Sequence, residues 1–369
     1  MKYTSHGRQV FETRRGSVGL TWGPKGVSRL EFDPAETAGR GPRPEPAVAE
    51  TLRRVKAHLA GKADPLTDIP VDLSAVGEYG RKVLRRLRKV APGTVVTYGE
   101  LAKATGRPGA ARAVGRIMGA NPVPVIVPCH RCLGADGRLT GFSASGGVDL
   151  KAKLLFDEGY VFDAAHQAGI THMSRRDPVM RKLIRFVGPY RALPDRPRPP
   201  WDTLVTAIVH QQLSVKAGQT IAGRVRDLTP GDKLPTPKDV LALAPETLRG
   251  CGLSNMKVSF VQDLAARVDD GRLKLARLRH LDDEAVIKEL TAVRGIGPWS
   301  AQMHLIFHLG RLDVLPTGDL GLQMAAAKAY GLEAYATPAQ LTEIAETWRP
   351  YRSMGSYYLW RALDQGGIS

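Results

Sequence analysis

The chain has 369 residues, with 53 Lys plus Arg against 36 Asp plus Glu and a formal net charge of +17. At roughly 150 residues per domain the length predicts two or three domains, and a hydrophobic share of 43% can fill a core in each. A wholly disordered chain and a small disulfide-stapled fold are both excluded. The basic excess favours a polyanionic partner, and it is shared: residues 1–165 hold 26 basic and 16 acidic residues, a net of +10, and the remainder carries +7. Three cysteines, Cys129, Cys132 and Cys251, are too few and too scattered for a disulfide framework and fit a reducing compartment. Residues 1–12 lack the apolar stretch of a secretory leader, and no run nears ~18 apolar residues. The expectation is a cytoplasmic protein without membrane association.

In chain order, short alternating runs such as residues 17–22 read as strands. The proline-rich stretch 40–46 reads as a loop inside a small N-terminal α/β subdomain. Over 81–90, Val83, Leu84, Leu87 and Val90 share one helical face while Arg81, Lys82, Arg85, Arg86, Arg88 and Lys89 cover the other. That face either contacts DNA or is simply solvated. After the Pro92-Gly93 turn, 94–97 reads as a strand end, and Thr97 with Glu100 forms a capping-box pattern that opens a helix to about Thr105. Gly106 to Gly109 break it, and a second helix follows over 110–119, so the pair reads as a helix-turn-helix. Ala110, Ala111, Ala113 and Gly115 surround Arg112 on the second helix. Such small residues permit close docking on a shallow minor groove, with one arginine inserted in the base stack; ordinary helix packing is the alternative and, taken alone, the simpler one.

Residues 121–131 then deliver Cys129 directly before His130. A thiolate is the nucleophilic form of cysteine, and a neighbouring base or cation generates it. Cys129 and Cys132 also have C-x-x-C spacing, which admits a zinc or redox reading; no second Cys/His pair follows at finger spacing, and the pair does not open a βαβ unit. The signature Pro128-Cys129-His130-Arg131, with Asn121-Pro122 and the Arg112-Ala113-Val114 helix before it, resembles the O6-alkylguanine-DNA alkyltransferases over roughly 1–160. That resemblance implies that Cys129 takes the alkyl group from O6 of a flipped guanine, while His130, a water and Glu158 keep the thiol deprotonated. It further implies that Tyr98 serves the departing guanine at N3, that Asn121 orders the turn, and that Arg112 fills the gap left by the flipped nucleotide. The chain departs from the family pattern at Phe142, often a tyrosine in the loop over the base, at Cys132, usually aliphatic, and in a slightly longer loop over 143–149.

A domain boundary is expected near 163–172, followed by a short helix over 179–187 between proline- and charge-rich segments, the second at 194–200. Residues 201–213 read as a helix ending in His210-Gln211-Gln212-Leu213. Two apolar-periodic segments then meet at Gly295-Ile296-Gly297-Pro298, a hairpin whose second helix begins at Pro298 and whose N–H groups suit a phosphate. Asp319 follows 22 residues after Gly297. This series, with Asp177-Pro178 and 348–353, resembles the helix-hairpin-helix DNA glycosylases, in particular the branch that removes 3-methyladenine. One carboxylate suits that chemistry, because breaking the N-glycosidic bond builds positive charge on the sugar. Asp319 is the candidate, with a helix cap as its alternative. Bifunctional relatives carry a lysine where this chain has Trp299, so base removal without strand cleavage is implied. Trp299, Trp360 and Tyr358 are candidates to stack on a cationic base, with core packing as the alternative, and Gln212 or Leu213 could wedge into the duplex.

The sequence therefore predicts an α+β part followed by a mostly helical one: an α/β subdomain over 1–78, a helix-turn-helix catalytic domain over 79–165 and an all-helical helix-hairpin-helix domain over 166–369. The expected partner is double-stranded DNA containing alkylated bases, bound by a monomer without metal or cofactor, nucleoid-associated if prokaryotic. The competing class is a non-catalytic protein that binds or senses alkylation damage. An oxidised-purine or mismatch glycosylase is disfavoured by Trp299 and by too few cysteines for an iron–sulfur cluster.

Overall fold

A computed structural model describes residues 2–35, 44–193, 198–230 and 233–368. Residues 40–43 of the first proline-rich stretch and 194–197 of the second lie outside the described residues. Chain contacts form two compact units, one running through Gln167 and including Val187–Pro189, the other made of Ala168–Phe186 and the chain from Tyr190 onward.

The first unit opens with an antiparallel meander of β1 (Gly7–Thr13), β2 (Gly16–Gly23) and β3 (Gly26–Phe32). The run predicted at 17–22 lies within β2, where alternation puts Val18, Leu20 and Trp22 in the core. Gly26 sits at φ +123°, and a Cβ there would come within 2.4 Å of the Pro70 backbone, so only glycine lets β3 start against that segment. Pro46 does not close a loop but opens α1 (Pro46–Leu59), an unpredicted helix that buries Val48, Thr51, Val55, His58 and Leu59. The basic helix, α2 (Glu78–Leu87), begins three residues earlier than expected and buries Val83, Leu84 and Leu87. Its basic character divides. Arg88, just past the end, turns inward and donates to the carbonyls of Leu66, Thr67 and Ile69, so it ties the fold together rather than facing a ligand.

The strand predicted over 94–97 shortens to β4 (Val96–Thr97), which pairs in parallel with β5 (Cys132–Leu133). This two-residue ladder fixes the Cys129 turn beside the start of α3 (Tyr98–Ala104). The capping box forms as predicted, Glu100 N–H donating to Thr97 Oγ1 and Thr97 N–H to Glu100 Oε2. Gly106 and Gly109, both at positive φ, make the break before α4 (Ala111–Gly119). Helix α5 (Gly147–Asp157) delivers Glu158 at its C-cap. One apolar core runs through β1–β3, α1, α2, α4 and the Cys129 segment, on both sides of position 78.

The second unit is helical. It is entered within α6 (Ala164–Arg176), continues through α7 (Pro178–Val187), α8 (Pro200–His210), α9 (Val215–Arg226), α10 (Pro237–Ala242), α11 (Pro245–Gly250) and α12 (Asn255–Asp269), and reaches the hairpin of α13 (Asp283–Thr291) and α14 (Pro298–Phe307). It ends with α15 (Leu320–Tyr330), α16 (Pro338–Glu346) and α17 (Arg352–Asp364). Asp177 caps α7 through Oδ1, while its Oδ2 accepts from Trp348 Nε1 at 2.9 Å and from the Tyr330 hydroxyl, so a buried carboxylate fastens the unit's first helices to its last. The helix predicted over 201–213 stops at His210. Lys257 Nζ takes the carbonyls of Val209 and Gln211 at 2.7 and 2.6 Å, and Gln212 swings to φ +56°, which ends the helical ladder and makes a turn of Gln211 to Leu213.

Two candidate active sites

In the first unit, Cys129 begins a single 3-10 turn at the floor of a cavity of about 640 Å³. Tyr98, Arg112, Gly115, Met118, Thr140 and Phe142 are among its walls. The turn is built by Asn121: its Nδ2 donates to Val127 O at 2.8 Å and to Cys129 Sγ at 3.1 Å, and its Oδ1 accepts from Val123 N–H. Val125, inside that turn, is held at φ +73°. A β-branched residue there is strained by about 1–3 kcal/mol, a cost the buried contacts of Val123, Val125 and Val127 offset. Tyr98 is a half-buried part of the same lining, and its oxygen accepts from Thr140 Oγ1 at 2.8 Å, which leaves its own proton to donate. Arg112 is exposed at the rim, Ala113 is half-buried beside it, and Gly115 lies 3.9 Å under the Tyr98 ring by its ideal Cβ.

Behind Cys129 a charged cluster is fully enclosed. His130 Nε2 lies 2.7 Å from Glu158 Oε1, which makes Nε2 the protonated nitrogen and Nδ1, without a protein partner among the described residues, the basic one. Arg131 grips the same carboxylate with Nη2 at 2.7 Å and Nε at 2.9 Å, and His58 Nε2 approaches Oε1 at 3.0 Å. Burial opposes ionisation of Glu158, yet His130, His58 and Arg131 together hold it well below the usual carboxylate range. Burial also lowers the His130 pKa, against the pull of Glu158, so the imidazole rests neutral. The Cys129 thiol is pushed up by burial, with Asn121 and Lys151 pulling the other way. Burial in this pocket therefore weighs against the expected standing thiolate, because desolvation penalises the anion more than the thiol. His58, His130 and Glu158 are close enough to ligate an ion, but the Arg131 guanidinium on the same oxygen already balances the charge. Cys132 is buried with its thiol pushed up to about 12 by desolvation, and its carbonyl accepts from Lys151 Nζ at 2.6 Å. Both cysteines are free thiols.

In the second unit, Gly295 is at φ +81° and a Cβ on it would lie 2.1 Å from Phe260 Cδ2. Gly297, at φ −89°, is the N-cap of α14 with Pro298 in its first turn, so of the two hairpin glycines only Gly295 needs the left-handed region. Gln211 Nε2 donates to Gly295 O at 2.8 Å and couples the Gln211–Leu213 turn to the hairpin. Between these lies a cavity of about 810 Å³ lined by Gln212, Phe260, Trp299, Met303, His304 and Phe307, among others. Leu213 is exposed on the same turn. Asp319 is held from three sides. Its Oδ2 accepts from Trp299 Nε1 at 2.7 Å, and its Oδ1 from Trp360 Nε1 at 2.9 Å and from Leu322 N–H at 2.6 Å. The helix-cap reading is therefore geometrically real, and the carboxylate has two further donors that a cap does not require. Trp360 lies behind the cavity against Phe307, ring centroids 5.8 Å apart. Tyr358 is fully buried against Tyr190 and Tyr357, which makes it a core residue instead of a stacking platform.

Residues 78–160 match the family described as 6-O-methylguanine DNA methyltransferase, DNA binding domain, and residues 205–350 match the HhH-GPD superfamily of base excision DNA repair proteins. The chain is 41% identical over 126 residues to the methylated-DNA–protein-cysteine methyltransferase of Mycolicibacterium paratuberculosis, covering 34% of this chain and 72% of that protein. It is 30% identical over 194 residues to DNA-3-methyladenine glycosylase 1 of Schizosaccharomyces pombe, covering 52% of this chain and 84% of the relative. The chain belongs to both families. It is a bifunctional alkylation-repair protein, an alkyltransferase and an HhH-GPD glycosylase in one polypeptide. The solved structure of the S. pombe 3-methyladenine DNA glycosylase in complex with abasic DNA overlays its glycosylase part with a TM-score of 0.51 at 29% identity, over 55% of this chain and 99% of that one. Among the described residues no helix is long and apolar enough to cross a membrane.

The alkyltransferase fold gathers Cys129, Tyr98, Phe142, Gly115 and Arg112 about one cavity, puts Asn121 on the Cys129 sulfur and sets His130 and Glu158 behind it; the glycosylase fold brings Trp299, Trp360 and Asp319 into one hydrogen-bonded group. Sequence reasoning missed His58, Lys151 and His304, and it named Gln211 only as part of its turn, without its bond to the hairpin. His304 rests neutral because burial and His308 lower its pKa to about 3. His58 and His304 stand in no local motif, and each meets a partner about 100 residues away, Glu158 and Thr203; Lys151 reaches the Cys132 carbonyl and Gln211 the Gly295 carbonyl only once the chain is folded.

Proposed function

We propose that the alkyltransferase part transfers the alkyl group of O6-alkylguanine in duplex DNA to Cys129, once per molecule, and that the glycosylase part hydrolyses the N-glycosidic bond of alkylated bases such as 3-methyladenine with Asp319. The observation that carries the first activity is Cys129 at the floor of its cavity with Asn121 on the sulfur and the His130–Glu158 pair behind it. The thiol proton passes to His130 as Sγ attacks the alkyl carbon in line. The C–O6 bond breaks toward the purine, and the Tyr98 hydroxyl donates to N3 so that guanine leaves neutral. Arg112, with Ala113 and Gly115 allowing close approach, occupies the vacated stack, and Phe142 closes over the base. The thioether product has no leaving group, which limits the reaction to one turnover.

For the second activity, two indole N–H donors orient the Asp319 carboxylate toward the sugar, where it stabilises the developing cation or directs the attacking water. The hairpin at Gly295 and Gly297 binds the phosphate backbone, and Gln212 or Leu213 enters the gap beside the flipped base. A neutral His304 and the Trp299 face offer an uncharged, polarisable wall to a cationic base. Trp299 stands where a Schiff-base lysine would be needed for strand cleavage, so base release leaves an intact abasic strand. We further propose the division 1–78, 79–165 and 166–369, a monomeric state and a cytoplasmic location without bound metal or cofactor. The test offers the full chain duplexes carrying O6-methylguanine or 3-methyladenine and follows methylated protein and released base separately. Cys129→Ala is expected to abolish the first product alone; methylated protein from that variant would refute the assignment.

A further inference from the structure

His58 is the one member of the enclosed cluster that comes from α1, about 70 residues upstream of the Cys129 turn. The residue is only 2% exposed. Nδ1 accepts from the backbone N–H of Asp64 at 3.2 Å, which fixes the tautomer with the proton on Nε2. That Nε2–H faces Glu158 Oε1 at 3.0 Å in a bent contact and has no other acceptor among the described residues. Oε1 thus accepts hydrogen bonds from His130 and Arg131 and is approached by His58 Nε2 at 3.0 Å, whereas Oε2 is held by Arg131 Nε. Arg131 holds both oxygens and His130 holds Oε1, and His58 adds an approach to Oε1 from a third element, α1.

We propose that His58 is a positioning residue for alkyl transfer: its Nε2–H holds Glu158 Oε1 in the orientation that His130 needs, and by sharing that oxygen it keeps Glu158 from holding a proton on His130 too tightly. The inference rests on the reading of Cys129, His130 and Glu158 given above. The charged and titratable groups facing this cluster are Glu158 after α5, Arg131 and His130 in the Cys129 turn, Asp64 after α1, and Asp157 paired with Arg15 at 2.6 Å. Removing the His58 donor makes Glu158 a stronger acceptor for His130. The imidazolium is then stabilised, and the acid side of the rate profile moves to higher pH.

Two polar variants separate the contacts. His58→Gln keeps a donor that reaches Glu158, and His58→Asn keeps an acceptor for Asp64 but falls short of the carboxylate. The single-turnover rate of methyl transfer to the full-length protein is measured from pH 5 to 9 on a duplex with one O6-methylguanine, and release of 3-methyladenine by the same samples monitors the intact glycosylase part. The expected result is a profile like wild type for His58→Gln and an acid limb shifted up by about one pH unit for His58→Asn, a roughly tenfold slower rate on that limb. Equal profiles for the two variants, or a shift in Gln but not Asn, overturn the positioning role. A wild-type protein that transfers no methyl group would instead overturn the underlying assignment of Cys129.

Discussion

Gly295→Ala is the sharpest test of the hairpin. The residue is at φ +81°, where an L side chain costs about 1–2 kcal/mol, and the new Cβ would stand 2.1, 2.3 and 2.4 Å from three ring atoms of Phe260. Relieving such a contact by shifting ring or backbone costs about 1–3 kcal/mol more. If the hairpin has to regain its conformation to hold the DNA backbone, the sum, about 2–5 kcal/mol, slows base release under subsaturating conditions by roughly 30-fold to several thousand-fold. The two contributions separate in a cycle. Adding Phe260→Ala removes the ring but not the backbone strain, so the double variant is expected to recover about 1–3 kcal/mol of the loss, relative to the Phe260→Ala single variant. The assay is single-turnover release of 3-methyladenine from a duplex, with methyl transfer by the same preparation as the internal control. Wild-type release by Gly295→Ala would refute the steric reasoning, and strictly additive effects of the two substitutions would refute the assignment of the clash to Phe260.

Asp319→Asn keeps an N-cap acceptor for α15 but leaves one indole N–H facing an amide N–H, so stability should fall by about 1–3 kcal/mol while base release falls by about a hundredfold or more; release at the wild-type rate would leave Asp319 a cap and nothing else. Glu158 has a folded pKa depressed far below its unfolded value, so its contribution to stability is fully present above about pH 4.3 and is lost as pH falls toward the folded pKa. Glu158→Gln should accordingly flatten the acid side of the stability curve of the alkyltransferase part, by about 1.4 kcal/mol per pH unit below that point, as read by denaturant unfolding at stepped pH; parallel curves for the two proteins would show that the carboxylate is not ionised in the fold. Tyr98→Phe removes the proton offered to the departing guanine and should slow methyl transfer by at least tenfold with little change in DNA affinity, a split that single-turnover rates against protein concentration resolve. Asn121→Ala should weaken both the turn and the sulfur contact, costing about 1–3 kcal/mol where Val127 O and Val123 N–H lose their partner, seen as earlier thermal unfolding together with slower alkylation.

Local chemistry was sufficient for the features written in adjacent residues. Thr97 with Glu100 announced the capping box because both partners lie within one helical turn, and Gly106 with Gly109 announced the break because left-handed backbone favours glycine. Cys129 beside His130, and Gly295 to Pro298 followed by Asp319, were equally legible. The boundary errors have the opposite origin. Helix α8 stops at His210 because Lys257, 46 residues beyond Gln211, takes its last carbonyls, and Arg88 leaves the basic face because three carbonyls of residues 66–69 solvate it.

The sequence by itself determined two family signatures, one around Cys129 and one running from the Gly295–Gly297 hairpin to Asp319, and the order in which the chain presents them. Tertiary structure alone decided their electrostatic state. Burial pushes the Cys129 thiol up, His130, His58 and Arg131 hold Glu158 below the usual carboxylate range, and two indoles from different helices donate to Asp319. Desolvation and charge pairing depend on what surrounds a group in space, and His58 reaches Glu158 across about 100 residues of chain.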